Sequence, residues 1–311
     1  MRRYLFLSLL LTLGISSFAL TGCDKSDNSS SSSTSTTEAT VASEDAAAVV
    51  ASAVASEEGG LTDQLTDVAD FVHGGMIQSV PQLAGGGKHH TRNGVVKEIT
   101  FNSTDTTWTI KLERSLTNNK VTSSWTREYQ YWFSKNGVKQ QSYTDANGTA
   151  DKVEFVIVSA GCTGTFKSPN MTHELKHLEG SMLGSIDLVA NTVTVNSVMP
   201  YKRMGLDSIS TRNAIRTSDH TLTLVLADVV LPIQYATTDT SCVRPTSGTI
   251  TGEYVAEVTF KNNSLYSEKT VTRNFTIDFS TATGTEIPVH VRDGNKNHYS
   301  GKFNLKNGQL Q

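Results

Sequence analysis

From Val95 onward, apolar and polar residues alternate with a period of two. Residues 107–112, 152–158, 192–198, 220–226, 249–260 and 270–279 all do so. Each run sends every second side chain to one face, the mark of a half-buried strand. Asn93-Gly94, Asn136-Gly137, Asn147-Gly148, Asp293-Gly294 and Asn307-Gly308 punctuate the runs. These dipeptides suit the positive φ angles of tight hairpin turns. Sequential strands joined by such turns pair as antiparallel neighbours. Residues 95–311 are therefore expected to be mainly β, an antiparallel meander forming a sandwich or open barrel.

A different spacing precedes this stretch. Residues 46–55 are alanine-rich with Val50 and Val54 on one face, and Ser43 stands as N-cap with Glu44 and Asp45 in the first turn. Gly59-Gly60 ends that helix. A second follows over 62–72, with Leu61, Leu65, Val68 and Val72 in one stripe and His73-Gly74-Gly75 as its stop. Two short helices are thus expected within 43–75, and a glycine-rich connector over 76–94, where His89-His90 adjoin Gly85-Gly86-Gly87. In the aromatic cluster, Trp125, Tyr129, Tyr131 and Phe133 share parity and should pack on one face of a strand, with Trp132 on the other.

The amino-terminal end carries an address. Arg2 and Arg3 precede an apolar stretch over 4–15, too short to span a membrane and laid out as a secretory signal over 1–22. Its end, Leu20-Thr21-Gly22-Cys23, resembles the lipobox of bacterial lipoproteins. The resemblance implies cleavage before Cys23, diacylglycerol on its sulfur and acylation of the new amino terminus. The chain would then sit in the cell envelope, lipid-anchored outside the cytoplasm in the inner or the outer membrane. Residues 23–42, with serines at every position from 29 to 33, bury almost nothing apolar and read as a flexible tether.

Charge narrows the partners. Without the two leader arginines, 25 basic residues face 30 acidic ones, a net charge of −5 with no basic block. That excludes nucleic acid as an expected partner and leaves membrane lipid through acylated Cys23, with an envelope protein or polysaccharide as further candidates. Once Cys23 is lipidated, Cys162 and Cys242 are the remaining cysteines, and in an exported protein they are expected to form a disulfide.

One motif points to chemistry. His173-Glu174-Leu175-Lys176-His177 fits the zincin pattern, in which a helix presents two histidines to zinc and the glutamate activates its water. With Gly180, and with Met199 in Ser197-Val198-Met199-Pro200-Tyr201, it resembles the metzincin peptidases. The resemblance implies His173 and His177 as zinc ligands, Glu174 as general base and Met199 beneath the metal. Against it, Leu183 stands where the third ligand belongs, and the surrounding residues read as strand. On a strand, His173 and His177 would share a face yet stand roughly 13 Å apart, too far for one ion. The expectation is accordingly a non-catalytic structural or binding domain without cofactor, a zinc-dependent peptidase being the alternative. A lipid or small-molecule carrier, needing an apolar barrel interior, is a third reading.

Overall fold

The computed structural model of the chain describes residues 33–57, 59–77, 94–211, 214–233, 243–261, 269–294 and 296–311. Cys23, the His89-His90 pair and Cys242 lie outside the described residues.

Two helices come first, α1 (Ser33–Val54) and α2 (Leu61–Ile77). Both outrun the stripes that predicted them. α1 begins within the serine- and threonine-rich stretch, so Ser43 is a mid-helix residue rather than an N-cap, its Oγ donating to the Ala39 carbonyl at 2.8 Å. α2 runs on through Gly74 and Gly75, where a stop was expected. A helical glycine costs only about 1 kcal/mol, which burial of the neighbouring Phe71 and Val72 offsets. The predicted break does fall at Gly59-Gly60. Gly59 has φ +61°, and a Cβ there would overlap the Trp125 indole.

The strands are β1 (Gly94–Asn102), β2 (Thr107–Thr117), β3 (Thr122–Lys135), β4 (Val138–Gln140), β5 (Thr144–Asp145), β6 (Gly148–Thr149), β7 (Lys152–Ile157), β8 (Thr163–Lys167), β9 (Met171–Asp187), β10 (Thr192–Thr211), β11 (Ala214–Pro232), β12 (Ser247–Lys261), β13 (Thr270–Asp278), β14 (Glu286–Asp293) and β15 (Lys296–Asn304). A 13-stranded sheet follows the order β1-β2-β3-β7-β9-β10-β11-β12-β13-β14-β15, with β4 beside β3 and β8 between β3 and β9. Its pairings are antiparallel, as the meander requires. Asn136 and Gly137, at φ +49° and +80°, make the predicted turn between β3 and β4. Gly94 opens a strand instead of closing a turn.

Strands far apart in this order meet the same pair of helices. α1 packs on β10, β13, β14 and β15. α2 reaches Arg114 on β2, Tyr129 on β3, Phe155 on β7, and β11. The sheet therefore curls around α1 and α2, and the chain is mainly β with the helices as its filling. Tyr129, Tyr131 and Phe133 all point inward, as parity predicts, and Phe71 stacks on Tyr131 at 4.5 Å. Trp132 faces outward, with Lys139 Nζ 3.8 Å above its ring.

The helices are buried on their polar sides too, which their stripes did not suggest. Inward-facing arginines explain how this is tolerated. Arg114 holds Asp63 and Asp67, each at 2.6 Å, and Arg216 clasps Asp45 through Nε and Nη2. Arg127 donates to the Gly59 carbonyl at 2.9 Å, and Arg273 to Ser43 Oγ at 2.9 Å. Each helical acid buried this way keeps a charge partner, the condition for leaving water.

Candidate functional site: a buried histidine–aspartate cluster beneath a cleft

The His173–His177 segment lies on β9 and is extended, not helical. A bulge changes its geometry further. His177 pairs with Met204 and Leu175 with Gly205, so Lys176 is an extra residue and parity reverses there. His173 points inward and is buried, whereas His177 emerges on the outer face. The expectation that both share a face is thus corrected. The bulge lies opposite the break between β7 and β8, where Ser159 Oγ meets His177 Nδ1 at 2.9 Å. His177 Nε2 lies 3.1 Å from Glu179, the two side chains partly exposed at 36% and 41%. Glu174 also faces solvent, and Met199 stands exposed at a register shift of β10, its N–H bonded to Ser181 Oγ at 3.1 Å. The arrangement of the zinc-peptidase pattern does not form.

His173 instead joins two residues that the sequence did not single out. β9, β10 and β11 run side by side, and their register sets His173 opposite Asp207 and His220 opposite Gly205. Gly205 is the enabling residue, since a Cβ there would run into the His173 ring. Asp207 Oδ1 lies 2.8 Å from His173 Nδ1, and its Oδ2 lies 2.7 Å from His220 Nδ1, off the axis of a straight hydrogen bond. Arg203 Nε donates to His173 Nε2 at 3.2 Å. All four side chains are buried. Burial lowers the His173 pKa to about 4, the Arg203 guanidinium adding to the effect against the pull of Asp207. Burial by itself would raise Asp207, but the imidazoles of His220 and His173 outweigh it and hold the carboxyl below its ordinary range.

The donor atoms of His173, Asp207 and His220 lie within 4.8 Å of one another, a spacing and donor set of the kind transition metals take. The protonation pattern does not fit one. Because Arg203 donates to Nε2, the single proton of neutral His173 sits on Nδ1 and points at Asp207. Ligation through Nδ1 would drive that proton onto Nε2, against the guanidinium. The cluster is a closed relay, Arg203 to His173 to Asp207, with His220 on the far side. His220 Nε2 finds no partner among the described residues.

One ladder step from His173–Asp207, about 7 Å along the strands, Met171 pairs with Ile209. These two residues belong to the floor of a cleft of about 390 Å³. α1 forms one wall with Glu44, Asp45, Ala48 and Ser52, while Phe166 and the C-terminal turn at 307–310 close the others. Between residues 41 and 54, only Glu44 and Ala48 on α1 are not fully buried. The face that these two share at helical spacing is thus only partly covered, and Ser52, one turn further on, is buried.

Cys162 is a free, buried thiol that donates to the Val158 carbonyl at 3.4 Å, and burial pushes its pKa up. Nothing supports the expected disulfide with Cys242, which lies outside the described residues. Comparison of the chain with family models, with curated proteins and with solved structures finds no match.

Proposed function

We propose that the chain is a lipid-anchored protein of the cell envelope whose β domain is a non-catalytic structural or binding module. The observation that carries the second half is where the sheet spends its inner face. That face packs on the chain's own helices, and Asp45, Asp63 and Asp67 on them are matched by inward arginines. An interior filled this way supports the fold and argues against the carrier reading, which needs a cavity inside the barrel. The His173–Asp207–His220 cluster is buried, away from solvent, where a substrate does not reach it. His177 and Glu174, the other residues of the zinc-peptidase pattern, project from the opposite face. What remains for recognition is the outer surface and the cleft beside α1, and the reading needs no cofactor.

The anchor rests on the signal-like 1–22 segment and the lipobox resemblance at Cys23. Expression in a bacterial host with labelled palmitate tests it. The parent chain should take up label and partition into detergent, and Cys23→Ser should do neither. An unlabelled, fully soluble parent would overturn the anchoring. Zinc-dependent peptidase activity that persists through repurification and disappears in Glu174→Gln would overturn the non-catalytic half.

A further inference from the structure

We infer that Ser159 is an activated nucleophile, an acceptor for one acyl group from an ester; this goes beyond the binding-module reading and leaves it standing. A row of side chains on the outer face leads there. Ser159 opens a 3-10 turn, Ser159–Gly161, that bridges the break between β7 and β8. Its Oγ lies 2.9 Å from His177 Nδ1, and His177 Nε2 lies 3.1 Å from Glu179 Oε2. Glu179 Oε1 in turn lies 3.7 Å from Lys202 Nζ. The bulge at Lys176 builds this row. By turning His177 outward, it sets the ring on the same face as Glu179, two residues on, and leaves His173 behind in the core. Register places Lys202 opposite Glu179 and so steadies the carboxylate.

The chemistry follows from which atom faces which. A carboxylate only accepts, so in the neutral ring the proton lies on Nε2 and Nδ1 keeps its lone pair. The Ser159 hydroxyl then donates to Nδ1, poised to lose its proton there, with Glu179 placed to stabilise the imidazolium that forms. Attack by Oγ on an ester carbonyl forms the Oγ–C bond as the Oγ proton passes to Nδ1. The bond from that carbon to the alcohol oxygen then breaks, and the leaving alkoxide takes the proton from Nδ1. An O-acyl serine and a free alcohol remain. The groups are reachable: His177 and Glu179 are partly exposed, and Ser159 is half-buried beside the exposed Ala160. None of them lines the cleft beside α1, so the chemistry assigned is acceptance of one group, not turnover of a bound substrate.

The sheet supplies its own control. Ser300 Oγ lies 2.9 Å from His290 Nδ1, the same contact, but among the described residues no carboxylate partners that ring's Nε2. Treating the folded chain with p-nitrophenyl acetate and mapping acetyl groups by peptide mass spectrometry makes the test. Hydroxylamine, which cleaves esters and spares the amides formed on lysines, identifies the linkage. Ser159 should gain an ester about tenfold faster than Ser300. His177→Ala should bring Ser159 down to the Ser300 rate. Glu179→Gln, which keeps the acceptor and removes the charge, should lower it part of the way. Far-UV spectra of both variants should match the parent. Equal labelling of Ser159 and Ser300, an unchanged rate in His177→Ala, or no ester on Ser159 would each overturn the assignment. Ser159-dependent release of nitrophenolate beyond one equivalent per chain would overturn the acceptor role together with the non-catalytic reading.

Discussion

His173 lies inward and Arg203 fixes its tautomer, and this makes stability respond to pH in a defined window. The folded pKa, lowered to about 4 from 6.5, means that the unfolded chain takes the proton first. The contribution is complete above pH 6.5 and drains away as pH falls toward 4. At 1.36 kcal/mol per unit the full loss is about 3 kcal/mol, of which about 2 kcal/mol falls between pH 6.5 and 5. Most carboxylates titrate below that interval, so it isolates histidine; His73, also lowered by burial, acts with the same sign. Asp207 adds its own loss at still lower pH, since its folded pKa lies below the ordinary value. Urea midpoints at pH 6.5 and 5 measure the drop. His173→Gln, whose amide can both donate to Asp207 and accept from Arg203, should flatten it, and an unaltered slope in that variant would show the cluster to be mute. At this scale the sequence was partly legible. His173 drew notice for another reason, while Asp207, 34 residues away, carries no local mark. Only strand register brings them together.

Between elements, the decisive pairs join helix acids to strand arginines. Asp67 and Asp63 share Arg114, all with side chains at most 7% exposed. Removing one partner of such a pair leaves charge uncompensated in the interior, at a cost of about 3–5 kcal/mol. Asp67→Ala should lose stability on that order in chemical denaturation. Lys302→Ala, which breaks a surface pair with Glu286 at 3.4 Å, should lose under about 1 kcal/mol. Equal effects would mean that the buried pairs do not hold the helices in place. Alternation gave the strands, and the asparagine–glycine step gave the turn at Asn136-Gly137, whereas the turns at Thr106 and Asn191 carry no such step. Alternation could not reveal the extra residue at Lys176, because a bulge keeps strand character while exchanging the faces beyond it. Nor could helical stripes show that α1 and α2 lie inside the curl. Their polar faces look solvated until Arg114 and Arg216 arrive from β2 and β11.

For the whole molecule, the helices and the sheet form one cooperative body. A chain beginning at residue 56 lacks α1. It would leave Arg216 without Asp45, Arg273 without Ser43, and the inner faces of β13–β15 bare. Such a chain should keep β-type far-UV signal, lose fixed near-UV signal and bind a hydrophobic dye. Native near-UV spectra from it would show α1 to be an accessory rather than a support.

The position of α1 also has a mechanical side. Nine residues separate Cys23 from Ser33, where α1 begins, and such a span reaches at most about 30 Å. With Cys23 in a bilayer, tension on the anchor would pass along this short leash straight into the helix at the heart of the fold. The Asp45–Arg216 and Ser43–Arg273 contacts would be the first to bear it. Tugging the anchor would strain the domain's innermost support before any outer strand was peeled, so resistance to extraction and resistance to unfolding would be one property.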